Sequence, residues 1–184
     1  MFDVNVFGAI NLTTIIVKHW LAHNQRGHLV LNASMSTIQP MVLSSAYSAS
    51  KAAIDSYYQT LRSEYSARGI TVTIANTGFV RTAIWRHRLT ADGATKRNDT
   101  NVWRYDMSAD RCAEIIGVAI ANNIATCWPI RQPLLALAYI AQYCPPAADW
   151  LMRRCGDAAV LDMFERGDPN GLVIKLLRLD LLGF

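Results

Sequence analysis

Val6, Ile10, Val17 and Leu21, with Thr13 and Thr14 between them, recur at three- and four-residue steps and predict an amphipathic helix over residues 1–23. Gln25-Arg26-Gly27 breaks that period. His28 to Ala33 follows as a short β-type run, apolar on both faces at its centre. Such a run suits a parallel strand covered by helices on both sides. A loop containing Pro40 leads to a second long helix over residues 46–68, with Ser44 or Ser45 to cap its start and Gly69 just past its end. Ile70 to Ala75 is a second β run, rich in Ile, Val and Thr and closed by Asn76-Thr77-Gly78. Strand, loop, helix and strand together make one right-handed crossover of an α/β sheet.

Beyond Gly78 the periodicity fades. Ala91-Asp92-Gly93 and Arg97-Asn98-Asp99 are turn chemistry, with Trp85, Trp103 and Tyr105 interspersed. The composition suits a substrate lid as well as it suits an ordinary surface loop. Ser108 is expected to cap a helix running to about residue 123, with Asp110 in its first turn. Short helices follow, punctuated by Pro129, Pro133, Pro145-Pro146 and Gly156.

The totals narrow the functional classes. With 184 residues, 52% apolar and 17% charged, the chain can bury a substantial core. The net charge of +4 is spread along the chain, and no nucleic-acid recognition module accompanies it, so no nucleic-acid partner is expected. A mild basic excess suits an anionic cofactor or an anionic membrane face. Cys112, Cys127, Cys144 and Cys155 form no C-x-x-C pair and read as reduced thiols. His19 and His23 lie four apart without the Glu of an H-E-x-x-H pattern, so no metal site is expected. The start carries Asp3 and Asn5 in an amphipathic pattern rather than a signal peptide. The apolar run Leu134 to Tyr143 is far below the ~20 residues of a bilayer span. Of the three sequons, at Asn11, Asn32 and Asn98, only Asn98 falls in an expected loop.

The chemistry centres on Tyr47-Ser48-Ala49-Ser50-Lys51, with Ser34 thirteen residues before the tyrosine. A phenol and an amine four apart on a helix share one face. A close ammonium favours a phenolate, which makes the phenol a usable proton donor and acceptor near neutral pH. A serine hydroxyl delivered from a strand end would hold a carbonyl or alcohol oxygen beside it. A hydrolytic reading of Ser34 with His28 lacks both the G-x-S-x-G elbow and a paired acid.

Four motifs stand in order: Asn5-x-x-Gly8, Gly27 to Ser34, Tyr47-Ser48-Ala49-Ser50-Lys51-Ala52-Ala53, and Asn76-x-Gly78-x-x-x-Thr82. This set resembles the catalytic half of the short-chain dehydrogenase/reductase family over roughly residues 1–82. The segments 107–112, 132–133 and 142–145 are similar to the tail of the subgroup numbered seven. The resemblance implies a partial Rossmann-like, doubly wound parallel α/β sheet. Residues 1–106 would form the catalytic half and 107–184 a helical extension carrying the substrate lid.

It also implies roles. Tyr47 would be general acid in reduction and base in oxidation, and Lys51 would ease its ionisation and bind the nicotinamide ribose. Ser34 would orient the substrate oxygen, and Asn5 would hold a water linking Lys51 to solvent. Gly78, Val80 and Thr82 would border the carboxamide of the cofactor, NADP(H) in preference to NAD(H). The substrate would be a hydrophobic carbonyl or alcohol of steroid, retinoid or lipid type. A homodimer through helices 2–23 and 46–67 is expected, and the alternative to catalysis is a truncated chain acting as an interaction module through those helices. Peripheral association with the endoplasmic reticulum membrane is implied by the subgroup, and a cytoplasmic location otherwise.

Two departures from the family pattern stand out. Thr77 occupies the position where a proline usually precedes the glycine. No G-x-x-x-G-x-G fingerprint and no upstream βαβ unit precede Asn5. Two strands of the family sheet are therefore expected, the first with an open edge, and weak cofactor affinity for the chain by itself.

Overall fold

The computed structural model describes residues 1–40, 44–82 and 106–156, with side chains to residue 154. The segment 79–107, read from its composition as either a lid or a surface loop, falls mostly outside the described residues, as do Asn98, the side chain of Cys155 and everything after residue 156. The chain divides into two compact units. One comprises Met1–Gly78 with Arg111–Ile130, and the other Phe79–Asp110 with Arg131–Phe184.

In the first unit, the expected opening helix has two parts. Asp3–Gly8 is a π-helical turn, and α1 runs Ala9–Ala22. Val6, Thr13 and Val17 are buried, as the period requires. Strand β1 (Gly27–Asn32) leads to a 3-10 turn, Met35–Thr37, and then to α2 (Ser45–Tyr65). Ser44 stands at the N-cap of α2, but its side chain makes no capping hydrogen bond. A further 3-10 turn, Ser66–Arg68, ends at Gly69, whose φ of 76° is the left-handed conformation that favours glycine there. Strand β2 (Ile70–Ala75) follows.

Strands β1 and β2 pair in parallel, in register from Gly27 with Ile70 to Asn32 with Ala75. The sheet has a third member that the sequence reading missed. Strand β5 (Thr126–Cys127) pairs in parallel with the end of β2, giving the order β1-β2-β5. Two residues carry no readable alternation, so this strand exists only through its pairing. Among the described residues β1 pairs with β2 alone, and it forms the edge of the sheet.

The core lies on one face of this sheet. Leu29, Leu31, Ile70, Val72 and Ile74 pack with Val17 of α1 and Ile54, Tyr58 and Leu61 of α2. On the other face of β2, Ala75 and Cys127 pack with Ile116 and Ala119 of α3 (Ala109–Ala121). β2 is thus covered from both sides, as in a doubly wound sheet. β1 is not: Val30 is 40% exposed, so of the two faces expected to be buried only the one carrying Leu29 and Leu31 is. Buried hydroxyls tie the helices together. Thr13 Oγ1 lies 2.7 Å from the Tyr58 hydroxyl, and Thr14 Oγ1 lies 3.3 Å from that of Tyr57.

In the second unit, strands β3 (Val80–Arg81) and β4 (Met107–Ser108) pair in parallel. Ser108 therefore belongs to a strand, and α3 opens at Ala109 with Asp110 in its first turn. Helices α4 (Leu134–Tyr143) and α5 (Pro145–Leu151) pack on each other, and a π-helical turn, Met152–Gly156, follows.

Candidate active site

The site grows from the carboxyl end of β1 and the first turns of α2. At the end of β1 the chain leaves the sheet through Ser34, which is extended (φ −154°, ψ 150°) and 8% exposed. Ser34 Oγ accepts the backbone N–H of Ser36 at 3.2 Å, an ST-type bond that opens the 3-10 turn. Its own hydroxyl proton meets no acceptor among the described residues, so it can donate outward. The 3-10 turn packs against α2.

On α2, Tyr47 and Lys51 share a face, as their spacing requires. The Lys51 ammonium lies 5.9 Å from the centre of the Tyr47 ring. It donates to the carbonyl of Asn32 at 3.0 Å, two residues before Ser34. Burial pulls Lys51 below the ordinary lysine value of 10.5. Tyr47 is 36% exposed, and its hydroxyl has no partner among the described residues. Hydroxyl, phenol and ammonium thus belong to one strand end and the helix packed beside it.

Asn5 reaches this region by a different route. Its Nδ2 donates to Ser50 Oγ at 3.1 Å, and Ser50 Oγ donates to the backbone carbonyl of Tyr47 at 2.8 Å. The amide side chain of Asn5 is therefore committed to α2. Ser50, fully buried, is the link that residue-by-residue reading passed over, although it stands inside the quoted Tyr47-to-Lys51 motif.

At the end of β2, Gly78 donates its N–H to the Pro129 carbonyl at 3.2 Å. A Cβ at Gly78 would sit 3.1 Å from Ile130 Cγ2, so a side chain there would crowd this turn. Asn76 Oδ1 beside it is buried and has no hydrogen-bond partner among the described residues. Val80 and Thr82 belong to the second unit, in β3 and just after it.

His28 does not serve Ser34. Its Nε2 lies 2.8 Å from Thr73 Oγ1, and that hydroxyl donates to the carbonyl of Ile124 at 2.8 Å. With the hydroxyl proton so used, Nε2 is the donor to Thr73. Among the described residues no three His, Cys, Asp or Glu side chains gather as a metal site.

Residues 1–93 match the family model described as short chain dehydrogenase. The chain belongs to the short-chain dehydrogenase/reductase family. A mouse relative named dehydrogenase/reductase SDR family member 7 is 31% identical over 180 residues, covering 97% of this chain and 52% of the relative. That match runs through the tail, in keeping with the subgroup resemblance. A short chain dehydrogenase from Burkholderia cenocepacia, solved in complex with NADP, superposes with a TM-score of 0.62 at 16% identity, over 83% of this chain and 56% of the other. An SDR from Burkholderia phymatum, in complex with NAD, gives 0.59 at 22% identity, over 76% and 55%. These two show the fold: three strands and their helices form part of a Rossmann-like sheet. The chain spans about half the length of the curated relatives it matches.

Proposed function

We propose that this chain provides the proton-transfer part of an NAD(P)(H)-dependent interconversion of a hydrophobic carbonyl and its alcohol. One observation carries the reading: the half-buried ammonium of Lys51 is fixed to the strand end that delivers Ser34, on the helix face that carries Tyr47. Ser34 has a hydroxyl proton free to steady a substrate oxygen. Tyr47 has a phenol free to give that oxygen a proton in reduction and to take it back in oxidation. Lys51, with two of its three N–H donors unused by the Asn32 carbonyl, can bind a ribose hydroxyl and support the phenolate.

The residues present fit the nicotinamide end of a dinucleotide. Lys51 would hold the ribose, and Gly78, with the buried acceptor Asn76 Oδ1 nearby in sequence, would border the carboxamide. When bound, the cofactor supplies the hydride. NADP(H) is proposed over NAD(H) on the subgroup resemblance, and a steroid, retinoid or other lipid-like substrate on the same ground. Peripheral association with the endoplasmic reticulum membrane is proposed likewise. No helix among the described residues is long and apolar enough to cross a membrane.

Pairing of two copies through helices 2–23 and 46–67 is a second reading. It is supported by the exposure of Val4, Leu12 and Ile15 on the first helix and of Ala49, Ala52 and Ala53 on the second. NADPH consumption with hydrophobic ketones, followed at excess cofactor, tests the catalytic reading. Turnover by the wild type should fall ~10²–10⁴-fold in Tyr47→Phe with the fold unchanged by circular dichroism. Equal rates overturn the role of Tyr47. No turnover in either protein, together with a stable dimer in sedimentation, favours the pairing reading.

A further inference from the structure

We propose that Thr77 is a positioning residue that clasps Ser34 from both sides. The family pattern has proline at this place, and the change to threonine loosens the turn by removing a fixed φ. The structure assigns the threonine a compensating task. Thr77 Oγ1 donates to the carbonyl of Ala33 at 3.0 Å and lies 3.4 Å from Asn32 Oδ1. The Thr77 carbonyl accepts the N–H of Met35 at 2.9 Å. The residues on either side of Ser34 are thus gripped by one residue of the neighbouring strand end. Proline could supply only the second of these grips.

The surrounding bonds leave this stretch few alternatives. Ala33 N–H donates to the Ala75 carbonyl at 2.9 Å, and the Asn32 carbonyl takes the Lys51 ammonium. The Ser34 carbonyl accepts both the N–H and the hydroxyl of Thr37. The backbone is therefore held at residues 32, 33, 34 and 35, and Thr77 provides two of the bonds. The Ser34 side chain is seated in turn by the Ser36 amide. Removing the Thr77 hydroxyl frees the Ala33 carbonyl and with it the peptide that aims Ser34.

The importance of a fixed Ser34 rests on the reductase reading above, so the test separates the two. Hydrogen exchange at the Met35 and Ser36 amides reads the seating of Ser34 without any turnover. In Thr77→Val their protection should fall roughly tenfold, the loss expected for one net hydrogen bond. Thr77→Ser, which keeps the hydroxyl, should restore it. Thr77→Ala, which keeps the N–H that donates to the Ala75 carbonyl at 3.0 Å, is a second hydroxyl-free variant should the valine protein fail to fold. Wild-type protection in a folded hydroxyl-free variant, or loss of protection in Thr77→Ser, overturns the clasp. In ketone reduction the hydroxyl-free variant should lose kcat with the KM for NADPH unchanged, and Thr77→Ser should recover it. An unchanged kcat in an active series overturns the positioning role. A wild type without turnover overturns the reductase reading and leaves the exchange result to decide the clasp.

Discussion

The Lys51 ammonium and the Asn32 carbonyl, 3.0 Å apart, join the Tyr47 face of α2 to the end of β1. Partial burial of the amine strips some of its water, which is why it loses its proton more readily than an ordinary lysine.

The sign of the resulting pH dependence is fixed. The folded-state value lies below the usual 10.5, so across that interval the unfolded chain holds a proton that the folded chain has released. Stability then rises with pH through the interval, and the cost of burying the charge is present in full below it. Denaturant melts of wild type and Lys51→Met from neutral pH to about pH 10 should show the wild type gaining on the variant as pH climbs. A constant difference would contradict the burial.

Ser50→Ala removes the acceptor for Asn5 Nδ2 and the donor to the Tyr47 carbonyl at once. Because Ser50 is fully buried, stranding the Asn5 amide should cost about 1–3 kcal/mol in urea unfolding. Asn5→Ala in the same background should add less than it does alone, since the two share one bond. Additive losses would show that the pair is not coupled.

Gly27 opens β1 directly under the Trp20 ring, and a Cβ there would overlap the indole. Gly27→Ala should therefore destabilise the first unit by ~1–3 kcal/mol, the usual cost of overpacking. Thermal denaturation followed by tryptophan fluorescence reads both the lower midpoint and the displaced ring. An unshifted midpoint would mean that Trp20 swings away freely.

Much of this architecture was legible because it is local. The period of Val6, Thr13 and Val17, the run Ile70–Ala75 and the left-handed Gly69 each declare themselves within a few residues. What escaped is set by partners distant in sequence. β5 is a strand because Ile74 and Ala75 pair with it. Ser50 matters because Asn5, 45 residues away, bonds to it. The Asp3–Gly8 turn keeps the apolar spacing of a helix while adopting the wider π winding, so its pattern could not distinguish the two. Tyr47, Lys51 and Ser34 stand at a spacing that is readable in the sequence by itself. In the sequence the Thr77 grip shows only as a missing proline, because the bond from its hydroxyl to the Ala33 carbonyl joins residues 44 apart.

Arg62, near the far end of α2, donates from Nε to the Val72 carbonyl at 3.3 Å and from Nη2 to the Ala125 carbonyl at 2.5 Å. Together with the Tyr58 and Ser50 bonds it fastens the helix at three heights along its axis. A cylinder fastened that way cannot roll, so the compass bearing of Tyr47 is set by anchors further along the same helix.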